Sequence, residues 1–231
     1  MNSIAKIFES LLDDYFATFY REHPADATYV GLRSGEGRLN PGTLSALRRQ
    51  HRRRLTALAK LDTIAPSALS NEQNLDRLAF RARLLRECEE FERGRHTLDP
   101  SGLDEVFEFL LCEMQRGEAE PNRAARNIRN LLKESRRYLG QVAKQIDRPE
   151  RVWRNIMDGA FKASGSFFDA VAGFLQSNGA QPGDDSLIRL AKRACGNYHK
   201  SIMAKRLAKP GSFAIGKNRL QRRIRDELGL D

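Results

Sequence analysis

The sequence has few cysteines and no long apolar run, the features typical of disulfide-bonded secreted proteins and of membrane proteins. Its three cysteines, Cys88, Cys112 and Cys195, are odd in number and far apart among 231 residues. This usage is typical of reduced thiols and excludes a disulfide framework. No apolar run approaches the ~18–20 residues of a membrane span. Glu9 and Asp13 interrupt the first apolar stretch, so no secretory signal is expected there. We therefore expect a cytoplasmic protein without a membrane span.

The sequence also lacks the motifs of common catalytic sites. Its four histidines are His23, His51, His96 and His199, and no two of them lie within five residues of each other. A zinc peptidase motif H-E-x-x-H is therefore absent. No C-x-x-C, G-x-S-x-G, phosphate-binding loop or G-x-G-x-x-G is present either. We assign no catalytic, cofactor-binding or metal-binding residue in this chain, and we expect no cofactor.

What the sequence does have is continuous helical periodicity. Hydrophobic residues make up 40% of the chain and charged residues 30%, and the apolar positions recur with a spacing of three and four residues. No segment alternates with a period of two between hairpin turns. The pattern predicts an all-α fold, a bundle of about seven to eight helices. Because the linkers are short, it predicts a single helical domain over residues 1–231.

The predicted helices are bounded by caps, prolines and glycines. The first ends before Pro24, and a loop of about 15 residues follows. Asn40 and Pro41 are expected to open the second helix, Ser70 with Gln73 the third, and Asp147 with Glu150 a later one. Further helices are predicted over 103–114, 121–145, 184–208 and 217–228. The residues expected to face inward in the second and third helices include Leu44, Leu47, Leu55, Leu58, Leu75, Leu78, Ala82, Leu85 and Phe91.

Three glutamates, Glu105, Glu108 and Glu113, offer the best carboxylate set for a cation. No histidine supports these three carboxylates, so a cation site is not the favoured interpretation. His199, beside Tyr198 on a basic helix, could contact phosphate, but a histidine at the edge of the core is the more common arrangement.

Positive charge is concentrated at the end of the chain. The net charge is +10 and the isoelectric point is near 9.8. Residues 186–231 hold twelve Lys and Arg against three Asp and Glu, so the last helices, 184–231, are strongly basic. At 100° per residue, one broad face carries Arg189, Lys192, Arg193 and Lys200. These four are candidate polyanion contacts, with weak and sequence-independent binding expected. The alternative is that this face meets carboxylates of a protein partner.

One segment carries a family resemblance. Residues 23–32, HPADATYVGL, form a P-x-x-A-T-x-x-G pattern on Pro24, Ala27, Thr28 and Gly31; we call them the signature segment. The pattern resembles the opening signature of the bacterial "domain of unknown function 885" family. Later stretches agree in order, including NLDRLAFRARL after Ser70, the region 147–175, and FAIGK around Gly216. The match covers essentially all 231 residues.

The resemblance implies a particular place in a larger protein. Members of that family are usually more than twice this long and are similar to helical zinc metallopeptidases. Their H-E-x-x-H helix belongs to the half that would follow Asp231. The resemblance therefore implies the N-terminal, non-catalytic half, with zinc only in the other half. The signature residues Pro24, Ala27, Thr28, Gly31 and Gly216 are expected to be structural, with Gly31 allowing positive φ.

Two functional classes follow from these observations. In the first, the chain is a truncated or split member that packs on a catalytic half and shapes its substrate channel, with self-association as a further option. In the second, it is an independent basic helical module that binds nucleic acid or another polyanion. A reading frame or neighbouring gene that continues with H-E-x-x-H would favour the first.

Overall fold

A computed structural model of the chain describes the backbone of residues 3–228 and the side chains of residues 3–226. It confirms the all-α prediction: this part of the chain holds ten α-helices and no strand, and eight of the helices are longer than six residues. Their bounds are α1 Ser3–Glu22, α2 Pro24–Tyr29, α3 Leu44–Asp62, α4 Asn71–Glu92, α5 Arg95–Leu98, α6 Gly102–Arg116, α7 Pro121–Gln145, α8 Arg151–Ser177, α9 Asp184–Met203 and α10 Lys217–Leu228. No described helix has the length and apolar character needed to cross a membrane.

The helices group into two compact units, each discontinuous in sequence. The first unit comprises residues 1–19, 44–95 and 211–231, and the second comprises residues 20–43 and 96–210. The first unit therefore contains most of α1 together with α3, α4 and α10, and the second contains α2 and α6 to α9. The single domain predicted over 1–231 stays a prediction.

The second unit is built around α7. Helix α7 packs against α6 on one side and α9 on the other, and α8 packs against both α6 and α9. One continuous aliphatic and aromatic core fills the space between them. The spacing of apolar residues predicts that six residues of α7 face inward. Five of them, Ile128, Leu131, Leu132, Tyr138 and Leu139, are buried, and the sixth, Val142, is partly buried against the core.

The first unit relies on aromatic rings and ion pairs. Tyr15 of α1 packs edge-on against Phe80 of α4, with ring centroids 4.9 Å apart. The Arg83 guanidinium lies 4.6 Å from the centre of the Phe19 ring, a favourable cation–π geometry. Helices α3 and α4 pack along each other, and α10 packs on α4.

Three predicted helix starts can be compared with the structure. The capping box of Ser70 and Gln73 is confirmed, with the Gln73 N–H donating to Ser70 Oγ and the Ser70 N–H to Gln73 Oε1. The prediction at Asn40 and Pro41 is wrong, because α3 begins at Leu44. The prediction at Asp147 is also wrong, because Glu150 caps α8 and accepts the Val152 N–H at 2.7 Å.

Other bounds also differ from the predictions. The stretch expected to be a loop after Pro24 contains the six-residue helix α2 and a 3-10 turn at Arg33–Gly35. Pro24 stops α1 and begins α2, since proline is well suited to the first turn of a helix. The short helix α5 was not predicted, and α9 ends at Met203 instead of residue 208. Predicted helices 121–145 and 217–228 have the observed bounds.

The inward face predicted for α3 and α4 is wrong at three positions. Leu55, Leu75 and Leu78 are 42%, 67% and 54% exposed. Ala82 of α4 is buried as predicted. The other buried positions are Ala46, Gln50, Ala57 and Leu61 in α3, and Phe80, Leu84 and Cys88 in α4. Gly159, Gly165 and Gly173 of α8 make no close helix contact within the described chain, because a Cβ at any of them would meet no atom within 4 Å.

Candidate functional site

The signature segment forms a short helix and turn within the second unit. Ala27 and Thr28 are buried, and the Thr28 hydroxyl donates to the Pro24 carbonyl at 3.0 Å. Gly31 ends the helix with a φ of +89°, which confirms the predicted positive φ. The Leu32 N–H then returns to the Ala27 carbonyl at 2.8 Å. The backbone of this segment is therefore fixed by its own hydrogen bonds.

Gly35, just after this segment, must be a glycine because its backbone lies against Pro24. A Cβ at Gly35 would lie 1.9 Å from the Pro24 carbonyl oxygen, so the chain closes back on itself only without a side chain there. The sequence marked Gly35 as a loop residue but gave no sign of this contact, because it depends on the unpredicted α2.

Polar side chains tie the signature segment to its neighbours. Asn40 Nδ2 donates to Asp26 Oδ2 at 2.8 Å, and Asn40 Oδ1 accepts the Ala25 N–H at 3.1 Å. This use of the Asn40 side chain explains why it does not cap α3. The Arg116 guanidinium of α6 donates to the Thr28 carbonyl. The segment is thus anchored to α6 through the Thr28 carbonyl. It is anchored to Asn40 through the Ala25 N–H and the Asp26 side chain.

The loop that follows is held on α7 by a half-buried ion pair and its hydrogen-bonded neighbours. Glu36 Oε2 accepts from Arg123 Nε at 2.6 Å and from Asn127 Nδ2 at 3.2 Å. Asn127 Nδ2 is also 3.1 Å from Oε2 of Glu113 on α6. These contacts join the loop, α6 and α7. Sequence analysis did not single out Glu36 or Asn127, since polar residues without a motif carry no signal of this kind.

Two carboxyl groups of α6 lie in this region but do not form one site. Tyr138 Oη donates to Glu105 Oε2, and burial raises the pKa of Glu105 to about 7. Glu113 is 2% exposed, and burial raises its pKa too. The two are eight residues apart, about 12 Å along a helix axis, and Glu108 is exposed. One ion cannot be bound by all three. Among the residues described, no group of three His, Cys, Asp or Glu could hold a metal.

The cysteine thiols are poorly suited to act as nucleophiles. All three are free. Burial raises the pKa of Cys88 to about 11 and that of Cys195 to about 12, and it also raises the pKa of Cys112. A thiol with a raised pKa holds its proton at neutral pH and reacts slowly.

The candidate polyanion contacts lie on the exposed side of α9. Arg189, Lys192, Arg193 and Lys200 are all exposed. Lys192 Nζ is 3.1 Å from Asp169 Oδ1 on α8, and Arg189 donates to Ser186 Oγ at 2.8 Å. The opposite side of α9 is core, with Ala194, Tyr198 and Ile202 buried. Polyanion binding by these residues stays a prediction.

His199 is used within the fold. Its Nε2 is 2.8 Å from Asp158 Oδ1, and its ring stacks on Phe161 with centroids 4.1 Å apart. This confirms the interpretation of a histidine at the edge of the core. Gly216, the last of the signature residues, has a φ of +79°, and its carbonyl accepts the Leu220 N–H in the first turn of α10 at 3.0 Å.

Comparison with known proteins extends the description of the fold. No family model matches the chain, and no curated protein matches it. Among solved structures, the chain is similar to a protein from Shewanella oneidensis that is described as a lipoprotein of unknown function. The TM-score is 0.76 at 16% identity, and the match covers 98% of this chain and 42% of that one. At this identity the likeness shows the fold alone. The chain spans less than half the length of that protein.

Proposed function

We propose that this chain is the helical, non-catalytic half of a metallopeptidase-like protein. It packs against a catalytic half that carries the H-E-x-x-H zinc site, and it shapes the substrate channel of that half. One observation carries the proposal: the fold of nearly this whole chain recurs as 42% of a longer protein. The resemblance of the signature segment to the domain of unknown function 885 family supplies the identity of the other half.

The geometry of the signature segment supports a scaffolding role. Thr28, Asp26 and Glu36 all form hydrogen bonds within the second unit. A reactive site would need polar groups that converge on an accessible space for a substrate. These groups instead hold the backbone of residues 23–36 on α6 and α7.

The proposal is tested by supplying the other half. A polypeptide with H-E-x-x-H, encoded by the same reading frame or an adjacent one, is co-expressed with the tagged chain. We expect the two to co-purify and to hydrolyse peptides only together and only with zinc. If no such polypeptide is encoded nearby, or if it is fully active without the chain, the proposal fails.

The basic face of α9 provides a matched pair of variants. We expect Arg193→Glu with Lys200→Glu to weaken binding to the catalytic half, because these exposed cations would meet its carboxylates. The control is Arg48→Glu with Arg52→Glu, the same charge change at exposed positions of α3. Equal weakening by both double variants would show that net charge alone matters, and the assignment of this face would fail.

Polyanion binding is the second candidate function, favoured by the exposure of Arg189, Arg193 and Lys200 on one helix. Contacts to phosphate alone give binding that is independent of sequence and falls steeply between about 50 and 200 mM salt. Nucleic-acid grooves also use exposed aromatic rings to stack bases. Of the two aromatic residues in the basic end of the chain, Tyr198 is buried and Phe213 is 49% exposed. Fluorescence anisotropy with labelled DNA separates the candidates. A sub-micromolar, sequence-selective complex at 200 mM salt would make nucleic-acid binding the primary function.

A further inference from the structure

The outward face of α8 is apolar although nothing in the described chain covers it. Val152 and Ile156 are 52% and 56% exposed, which is high for large aliphatic side chains. The same face continues through Gly159, Ala163, Ser166, Ala170, Gly173 and Ser177, all of them exposed. These eight residues are the outer stripe. Their side chains are uncharged and mostly small, so a second helix could approach closely along the whole of α8, about 40 Å.

The spacing of the outer stripe is that of a helix–helix seam. Successive members are separated by four and three residues in strict alternation, which keeps them on one side of a helix. The side of α8 that faces the core carries Met157, Phe168, Val171 and Leu175, all buried. Helix α8 therefore has two apolar sides, and its own fold uses only one.

The arrangement of the outer stripe is symmetric about its centre. When two copies of α8 are placed antiparallel with the dyad between Ala163 and Ser166, every member faces another member. Ala163 lies opposite the partner's Ser166, and Gly159 lies opposite the partner's Ala170. Ile156 and Val152 then face the partner's Gly173 and the partner's Ser177. Each large residue is thus matched with a small one, the condition for close packing.

The polar edge of the outer stripe is also symmetric, about a point one residue further along α8. Lys162 and Asp169 lie on one edge, with side chains 74% and 76% exposed. Within the chain, Lys162 pairs with Asp158 at 2.7 Å and Asp169 with Lys192 at 3.1 Å, so pairing across the dyad adds to these exposed contacts or exchanges with them. In the antiparallel pair Lys162 comes within about 3 Å of the partner's Asp169 along the axis, at 1.5 Å per residue. Asn155 meets the partner's Gln176 in the same way. Opposite charges therefore face each other twice, once on each side of the dyad.

We propose that the outer stripe is a self-association surface, on which two copies of this chain pair through antiparallel α8 helices. A surface for an unrelated helix would not need opposite charges placed symmetrically about its own centre. The pairing is isologous, so it closes at a dimer. It goes beyond the proposed scaffolding role, and it does not depend on a catalytic half.

Cysteine cross-linking tests the register. Gly159→Cys and Ala170→Cys are made as separate full-length proteins with tags of different size, mixed, and oxidised. We expect a cross-linked product between the two variants and little within either alone, because two copies of position 159 lie roughly 16 Å apart along the axis. Wild-type protein, with its native cysteines, is the control. Efficient cross-linking of Gly159→Cys with itself would indicate a parallel pair and overturn the proposal.

Sedimentation velocity tests the interface independently. We expect the wild-type chain to dimerise and Ile156→Asp to raise the dissociation constant at least tenfold. The matched control is Leu75→Asp, since Leu75 is 67% exposed on α4 and lies outside the outer stripe. Both variants should keep the wild-type circular dichroism. A wild-type chain that remains a monomer at its highest soluble concentration would overturn the proposal, as would equal loss in both variants.

Discussion

The two units of this chain are both helical, but different interactions stabilise them. In the second unit, α6 to α9 enclose one continuous core of aliphatic and aromatic side chains. In the first unit, a smaller aromatic group around Tyr15 and Phe80 is combined with ion pairs between helices. Arg54 Nε lies 2.7 Å from Glu87 Oε2, and Arg223 Nε lies 3.1 Å from Glu89 Oε2.

This difference shows how a charge-rich sequence can still fold. Several large side chains of the first unit stay in water, including Ile7, Leu75 and Leu78. Helices α3 and α4 are instead joined by arginine–carboxylate pairs that are partly shielded from solvent. We expect packing changes to act most strongly on the second unit, and charge changes to act most strongly on the first.

The largest expected effect is a cavity in the core of the second unit. Phe168 is fully buried, and Phe168→Ala should lower the free energy of unfolding by about 3–5 kcal/mol. Leu75→Ala in the first unit should change it by less than about 0.5 kcal/mol, because Leu75 is exposed. Urea denaturation of both variants measures the contrast. Equal losses of stability would contradict the assignment of Phe168 to the core and Leu75 to the surface.

A pH effect of nearly the same size is expected from Glu105. Its pKa is raised from 4.5 to about 7 by burial, so the folded chain keeps this proton where the unfolded chain loses it. The stabilisation that the Glu105 proton contributes is fully present below pH 4.5 and is lost as the pH rises through 7. The free energy of unfolding should fall over this window by up to roughly 3 kcal/mol. Glu105→Gln should flatten the profile, and a wild-type profile that rises with pH would contradict the account.

The ion pairs of the first unit can be tested at Glu87. This carboxylate accepts from Arg54 Nε at 2.7 Å and Arg83 Nε at 2.8 Å, and it is 18% exposed. Glu87→Ala should cost about 2 kcal/mol, since it leaves a shielded guanidinium without its acceptor. Glu134→Ala removes a more exposed pair with Arg137 and should cost less than about 1 kcal/mol. Thermal unfolding at low salt compares the two variants. A larger loss of stability for Glu134→Ala than for Glu87→Ala would contradict the stabilising role of the shielded ion pairs.

An effect of similar size, but on the backbone, is expected in the signature segment. Gly31→Val places a β-branched residue at a φ of +89° and should cost roughly 1–3 kcal/mol. A Cβ there would meet no atom within 4 Å, so the cost is conformational and not steric. Gly31→Asn, which tolerates positive φ better, should recover part of the loss. Equal stability of the valine variant and the wild type would show that this turn is not required.

Sequence reasoning succeeded where one face of a helix is clearly apolar. Most of the inward set of α7 was correct because Ile128, Leu132 and Leu139 repeat on one side, while the exposed side carries Arg136 and Arg137. The burial of Arg129, which pairs with Asp184 of α9, could not be predicted from this pattern. In α4, by contrast, Leu75, Leu78 and Leu84 lie on several sides of the helix, and tertiary contacts decide which side is buried. Periodicity alone could not choose between them.

The anchoring of the signature segment was largely beyond prediction. Its pattern and the positive φ of Gly31 could be read from the sequence, because glycine has a known conformational use. The pairing of Asn40 with Asp26 and of Glu36 with Arg123 could not, since these partners meet only after α2 and α7 have formed. The helix α2 is itself shorter than two turns, too short to show a period.

The central proposal is that the catalytic site lies in a separate half of the protein and that this chain packs against that half as a scaffold. The most direct measurement is peptidase activity and zinc content of the purified chain after incubation with zinc and dialysis, with and without its H-E-x-x-H partner. The account predicts no hydrolysis and no retained zinc for the chain alone, and activity only for the complex. One equivalent of zinc retained by the chain alone, with peptide hydrolysis abolished by mutating a histidine, would contradict it.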